Sequence, residues 1–564
     1  PLPAANLLPS IAWRAVLPML RRVLSLPSSC CGCRAWSLLL AVALVLGLGL
    51  GLPVASQARN GQRSASSIAW TEARLVADVE AAFERARLDQ KPVFLYWGAA
   101  WCPPCAQLQT TVFNRRDFVE LSRRFVAVHI DGDAPGAQRL GAQFRVRGYP
   151  SVVLFSPQGE ELTRLPGEVD ATLYMDTLRM VLGGSATRAA TRPAQRVLDD
   201  ALAGRSLPVH EWRQLARYDW SEGEQRLVPD GQRARTLLRL ARSCPAHLKV
   251  SQTRFLLKAA AASAPPGRPG ALDEEGRFAA GAALTRMLGD PSQARDLMDL
   301  VTHDVQPVLA ALTRDGTPGR VQLQRVWDQA AARLVADDGL SRSERLGAWQ
   351  VRVELARMGR LPGDASLPPT LLGELQNHVD QWVRDSADAQ ERQSVVPAAA
   401  HLLAEAGRVA QAQQLLKAQL GQVVAPHFLM GQLASLARRR GDMADALQWS
   451  RLAWEQARGP AARLQWGVSH IGTLVDAAGD DAVGIESAAG VLLTELAGSP
   501  DAFHERNVRA LERLAQRLRG WADQHPDGAG VLARLAVRLT PLCRQQPAGG
   551  GARLQCEALM RSGA

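Results

Sequence analysis

In the stretch Lys91-Pro92-Val93-Phe94-Leu95-Tyr96-Trp97-Gly98-Ala99-Ala100-Trp101-Cys102-Pro103-Pro104-Cys105-Ala106-Gln107-Leu108-Gln109-Thr110, an apolar aromatic run gives way to a small-residue turn and then to a helical pattern. Residues 92–97 are too few for a helix of their own and suit a buried central strand. The turn 98–101 delivers Cys102 to a helix N-terminus. Pro103 and Pro104 then fall in the first turn, where missing amide protons cost least. Free backbone N–H groups and the positive end of the helix dipole stabilise a thiolate at such a position. Cys102 is therefore the expected nucleophile. Cys105, one turn later and deeper, is the expected resolving residue, which attacks the mixed disulfide and releases the reduced substrate. The same spacing also serves half of a zinc site or a plain structural disulfide. A second ligand pair is absent from the sequence, so no metal is expected, and the only redox group expected is the Cys102–Cys105 disulfide itself.

Working outward, Phe125-Val126-Ala127-Val128-His129-Ile130-Asp131 reads as a second strand and residues 138–144 as a helix. Arg147-Gly148-Tyr149-Pro150-Ser151-Val152-Val153-Leu154-Phe155 reads as a turn into an apolar strand. Gly159-Glu160-Glu161-Leu162-Thr163-Arg164 reads as an edge strand, and residues 171–182 as a closing amphipathic helix. The sum is a small alternating α/β domain, bounded at 66–187.

Trp101-Cys102-x-x-Cys105 after a strand, with Tyr149-Pro150 some way on and then strand, strand and helix, resembles the thioredoxin superfamily. Lys91-Pro92, Trp101-Cys102 and Thr111-Val112-Phe113 more closely resemble the periplasmic C-terminal domain of the thiol:disulfide interchange protein DsbD family. The resemblance covers residues 70–185. It implies that Pro150 is a cis proline facing the active-site sulfurs, and that Tyr149, Trp101, Pro103 and Pro104 shape a substrate groove. One position departs from the pattern. Many relatives carry a buried acid six residues before the first cysteine, where this chain has Tyr96, and a phenol with a pKa near ~10 is a poor base at neutral pH.

The 564 residues carry a net charge of +11, with 47% hydrophobic and 21% charged residues, a globular composition large enough for two or more cored units. Almost all of the basic residues are arginine, interleaved with acids along helical segments, and no basic stripe with interleaved aromatics appears, so no nucleic-acid partner is expected. Residues 1–58 read as an export signal or membrane anchor. Arg14, Arg21, Arg22 and Arg34 precede or adjoin an uncharged run at 37–52, which is followed by the small residues Val54-Ala55-Ser56-Gln57-Ala58. Either reading places the rest of the chain outside the cytoplasm, in the periplasm, soluble or held at the inner membrane by residues 35–54. Cys30, Cys31 and Cys33 belong to this region. In an oxidising compartment Cys543 and Cys556 can pair, which leaves Cys244 as a buried small apolar residue.

Residues 188–564 are rich in Ala, Leu and Arg with helical periodicity, broken at Ala264-Pro265-Pro266-Gly267-Arg268-Pro269-Gly270 and Leu361-Pro362-Gly363-Asp364. Ala406-Gly407-Arg408-Val409-Ala410-Gln411-Ala412 and Arg440-Gly441-Asp442-Met443-Ala444-Asp445-Ala446 echo each other 34 residues apart, the tetratricopeptide period. A tetratricopeptide-like region is expected at 395–460, and Gly479-Asp480-Asp481-Ala482 opens a further hairpin at a different spacing. Stacked helical pairs make concave protein-binding surfaces, so a protein partner on the helical domain is expected. The fold class is an α/β thioredoxin fold followed by an all-α helical-repeat domain. The function expected from the resemblance is an exported thiol-disulfide oxidoreductase that takes electrons from an upstream thiol donor and reduces client protein disulfides. A second reading makes the chain a helical scaffold or holdase chaperone with an accessory redox domain.

Overall fold

The computed structural model describes residues 67–146, 148–165, 167, 170–183, 191–220, 227–358, 367–499 and 501–560. The expected export segment with its arginines and three cysteines, Arg147 and the break at 361–364 lie outside the described residues. Among the described residues no helix is long and apolar enough to cross a membrane. The chain from Ser64 to Ala564 forms one compact unit.

The first part of that unit runs β1 (Thr71–Glu72), α1 (Val76–Asp89), β2 (Val93–Gly98), α2 (Pro103–Leu108), α3 (Arg116–Ser122), β3 (Val126–Asp131), α4 (Ala137–Phe144), β4 (Ser151–Phe155), β5 (Glu161–Leu165) and α5 (Ala171–Val181). The five strands lie in the order β1-β3-β2-β4-β5. β2 pairs in parallel with β3 and antiparallel with β4, in register Leu95↔Val128 and Leu95↔Val153. Every residue of β2 is buried, because both faces of the sheet are covered. Phe94 and Tyr96 enter one core with Cys102, Cys105 and Phe113, and Val93, Leu95 and Trp97 enter the other with Val79 and Ile130. An alternating strand pattern would leave one face wet, whereas this continuous apolar run fits a strand buried on both sides.

Twenty further helices among the described residues, α6 (Ala194–Leu202) to α25 (Gly551–Met560), make up the remainder. The 34-residue echo is one turn built twice. Between α17 (Ala389–Glu405) and α18 (Val409–Gln419), Gly407 takes φ 82° and Arg408 N–H donates to the Leu403 carbonyl at 2.7 Å. Between α19 (Pro426–Arg439) and α20 (Met443–Gln456), Gly441 takes φ 78° and Asp442 N–H donates to the Ala437 carbonyl at 3.0 Å. Glycine reaches this left-handed conformation without a Cβ penalty. Ala412 and Ala446, five residues on, are fully buried where the paired helices close up. The third hairpin, α21 (Pro460–Ala477) with α22 (Ala482–Ala497), keeps the aspartate cap but not the left-handed glycine: the Asp481 carboxylate accepts Gly484 N–H at 2.8 Å as Asp442 accepts Asp445 N–H at 3.1 Å, while Gly479 has no positive φ.

Trp327 and Trp349 are fully buried core anchors, and the Trp327 indole donates to the Val301 carbonyl at 2.9 Å. A disulfide joins Cys543 of α24 (Gly528–Arg544) to Cys556 of α25, and Cys244 is free and buried.

The helices also close the sheet. Asp219 N–H donates to the Arg164 carbonyl at 3.0 Å and Gln214 Nε2 to the Leu162 carbonyl at 2.7 Å. Main-chain acceptors of the edge strand β5 are thus covered rather than offered to other chains.

Candidate active site

The site is built where β2 ends. Gly98 lies under the phenol of Tyr96, and a Cβ there would collide with that ring, so the chain can turn away only through a glycine. Cys102 N–H donates to the Ala99 carbonyl at 3.2 Å and closes the turn. Cys102 is the N-cap of α2, with Pro103 and Pro104 opening the helix, and Cys102 Sγ accepts Cys105 N–H at 3.2 Å. A sulfur that accepts a main-chain N–H at a helix start is held where negative charge is stabilised. α2 runs on into a π-helical turn, Gln109–Phe113. Cys102 and Cys105 are joined as a disulfide with Cα atoms 5.2 Å apart, and they are only 2% and 3% exposed.

The Tyr149–Pro150 peptide bond is cis. Tyr149 lies edge-on to Trp101 at 5.7 Å between centroids, and its hydroxyl accepts Gln138 Nε2 at 3.0 Å. Gly132 sits against the Tyr149 ring with no room for a side chain.

Tyr96 is buried, stacked on His129 at 4.9 Å and edge-on to Phe113 at 5.0 Å. Burial, followed by the negative charges of Asp131 and Glu72, pushes its phenol well above the ordinary value, so it stays protonated at neutral pH. Asp133 behaves differently. It is 6% exposed, its Oδ2 accepts the Trp101 indole N–H, and Oδ1 has no hydrogen-bond partner. Burial, then Asp131, raises its carboxyl to about 7 against the opposing pull of Arg506 and Trp101. Asp133 and Cys105 line one cavity of about 1460 Å³, with Trp70, Tyr96 and Phe113 on the sheet side and Pro426 and His427 on the helical side. Asp133, which lines the same cavity as Cys105, can therefore exchange a proton near neutrality where Tyr96 cannot.

Helices from the later part of the chain reach this site directly. Gln393 of α17 donates from Nε2 to the Trp101 carbonyl at 2.8 Å. Phe428 of α19 stacks on the Trp101 ring at 5.8 Å and 17°. The Arg506 guanidinium lies 4.8 Å from the centroid of Trp101 and 5.0 Å from that of Tyr149. None of these three residues, nor Asp133, is marked by a local motif. A second cavity of about 370 Å³, on the Pro150 side, is lined by Tyr149, Pro150, Lys258 and Asp299. There Arg254 and Asp299 form a buried ion pair, with Arg254 Nη1 at 2.9 Å from Asp299 Oδ1, and Lys258 Nζ donates to the Tyr218 carbonyl at 3.1 Å. Among the described residues no His, Cys, Asp or Glu cluster is arranged to hold a metal ion.

Residues 79–181 match the model of a thioredoxin-like domain. The chain is 29% identical over 111 residues to thiol:disulfide interchange protein DsbD of Pseudomonas fluorescens, a stretch covering 19% of each protein. It is 31% identical over 129 residues to thiol:disulfide interchange protein DsbD 1 of Pseudomonas aeruginosa, covering 22% of this chain and 20% of that one. With disulfide bond reductase DsbH of Chlamydia pneumoniae the identity is 28% over 99 residues, 15% of this chain and 57% of the relative. The match thus spans about a fifth of each DsbD protein. Among solved structures, a DsbH oxidoreductase aligns at 24% identity over 20% of this chain and 87% of that chain, with a TM-score of 0.17.

Proposed function

We propose that the protein is an exported thiol-disulfide oxidoreductase that reduces disulfides of periplasmic client proteins. The observation that carries the reading is the Cys102–Cys105 pair at the start of α2, inside the stretch that matches a thioredoxin-like domain. In the reduced enzyme the Cys102 thiolate attacks one sulfur of a client disulfide. A mixed disulfide forms, and the client's other sulfur leaves as a thiolate and takes a proton. Cys105 then loses its proton and attacks Cys102 Sγ, which frees the second client thiol and leaves the Cys102–Cys105 disulfide. Two electrons pass to the client, and an upstream dithiol donor returns them. Pro150, Tyr149, Trp101, Pro103 and Pro104 frame the groove in which the client chain lies. The helical domain supplies the surface for the client or the donor.

The test is to equilibrate the purified protein with graded glutathione buffers and to follow the Cys102–Cys105 peptide by mass spectrometry. A potential near the thioredoxin end of the scale, about −270 mV, supports a reductase, and one near the DsbA end, about −120 mV, makes the protein an oxidant instead. Loss of exchange in Cys102→Ser is expected, and unchanged exchange in that variant would sink the reading.

A further inference from the structure

A thiolate approaches a disulfide sulfur along the extension of the S–S bond, so the attacked sulfur needs open space on its far side. Cys102, the expected point of attack, is 2% exposed, and of the two cysteines only Cys105 lines the large cavity. Three elements far apart in the sequence converge on Trp101, the residue just before Cys102. Gln393 is fully buried, and its side-chain amide is used on both sides: Nε2 donates to the Trp101 carbonyl at 2.8 Å, and Oε1 accepts Ala425 N–H at 2.9 Å. It straps the active-site turn to the connection ahead of α19. On the same helix Gln390 Nε2 reaches Gln109 Oε1 at 3.0 Å, so α17 lies along the helix that carries the dithiol. Phe428 takes one face of the indole. Arg506 spans the rings of Trp101 and Tyr149. Its own main-chain N–H donates to Gln138 Oε1 at 3.3 Å, and Gln138 N–H donates to the Asp501 carboxylate at 2.7 Å. Groups of the same chain thus hold both aromatic walls of the groove.

We propose that the helical domain is a gate over the dithiol, and that Gln393, Phe428 and Arg506 decide which substrates reach Cys102 by holding Trp101 and Tyr149 in the closed arrangement. This rests on the reading of Cys102–Cys105 as an exchange pair. In the closed state a folded protein cannot seat a sulfur on Cys102. Exchange follows only after α17 and α19 lift from the turn, and the substrates favoured are flexible segments able to replace these contacts on the two aromatic rings.

The experiment uses the full chain with dithiothreitol as the probe. Its thiolate attacks one sulfur of the pair, forming a mixed disulfide and freeing the other cysteine, which takes a proton. Its second thiol then closes the dithiothreitol ring and leaves two cysteine thiols. The reaction is stopped by alkylation and read on the Cys102–Cys105 peptide. For a gate, the wild-type rate levels off as dithiothreitol rises, because opening becomes limiting, and Phe428→Ala and Arg506→Ala raise the rate at least tenfold at low dithiothreitol. A wild-type rate that stays linear and equals that of the variants overturns the gate and leaves the exchange reading standing. A disulfide inert in wild type and variants alike overturns the exchange reading with it. The concentration dependence of the wild type needs no variant, so a misfolded substitution does not decide the result.

Discussion

The protein holds two disulfides of opposite design. Cys102 and Cys105 are three residues apart at the first turn of a helix, next to titratable and aromatic side chains and to a large cavity. Cys543 and Cys556 are 13 residues apart and tie α24 to α25 in an apolar cluster with Leu535, Leu539 and Leu542. Both pairs are buried, so burial does not separate the proposed exchange pair from a staple. What separates them is the backbone beneath the sulfur. An N-cap sulfur accepting a main-chain N–H has a stabilised thiolate, while a cysteine near the end of a helix has neither free N–H groups nor a positive dipole to help it.

The sharpest way to break the contrast is to remove each pair in turn. Cys102→Ser should abolish disulfide exchange, and Cys543→Ala with Cys556→Ala should leave exchange intact, as read by reduction of a disulfide substrate. The same double variant should lose stability, by about 3 kcal/mol for a loop of this length, measured as protection of α25 amides from hydrogen exchange. If it lost activity in proportion, the second pair would be more than a staple.

Asp133 sharpens the comparison in a different way, because among the described residues a buried carboxyl lines the cavity of the first pair and none is found in the apolar cluster of the second. Its folded-state value near 7 lies above that of the unfolded chain. Protonated Asp133 therefore contributes stability that is fully present below about pH 4 and is lost as pH rises through about 7. Asp133→Asn should remove that slope and stabilise the protein above pH 7 by on the order of 4 kcal/mol, read from denaturant melts at pH 5 and pH 8. The smallest effect is expected far from both pairs: Gly441→Ala, forced into a left-handed φ, should cost about 1 kcal/mol in thermal unfolding and leave exchange untouched.

Much of the thioredoxin part can be read in the sequence because its determinants are local. The apolar run of β2, the turn at 98–101 and the Cys-Pro-Pro-Cys segment are contiguous, and each limits the backbone by itself. α1 is not legible in this way. Its buried positions are Val79, Ala82 and Ala86, while Leu75, Val76 and Leu88 are exposed, so the large apolar side chains fall out of phase with the buried stripe. The repeat glycines are legible because the same unusual φ recurs at a fixed interval. The closure of the site is not. Gln393 meets Trp101 across 292 residues, and a glutamine in a helix looks like any solvated glutamine until its partner is known. Asp133 looks like an ordinary loop acid until Trp101 folds over it.

Cys244 lies at the C-terminal end of α8 (Asp230–Ser243), 4% exposed, and burial pushes its thiol up to about 11. At pH 8 such a thiol is ionised about one part in a thousand, so alkylating reagents should pass it by while the helical core is intact. In any kinetic trapping of this protein Cys244 is thus a built-in clock for wholesale unfolding. Label that accumulates on Cys102 ahead of Cys244 counts local excursions at the turn, and label that appears on both together counts collapse of the whole unit.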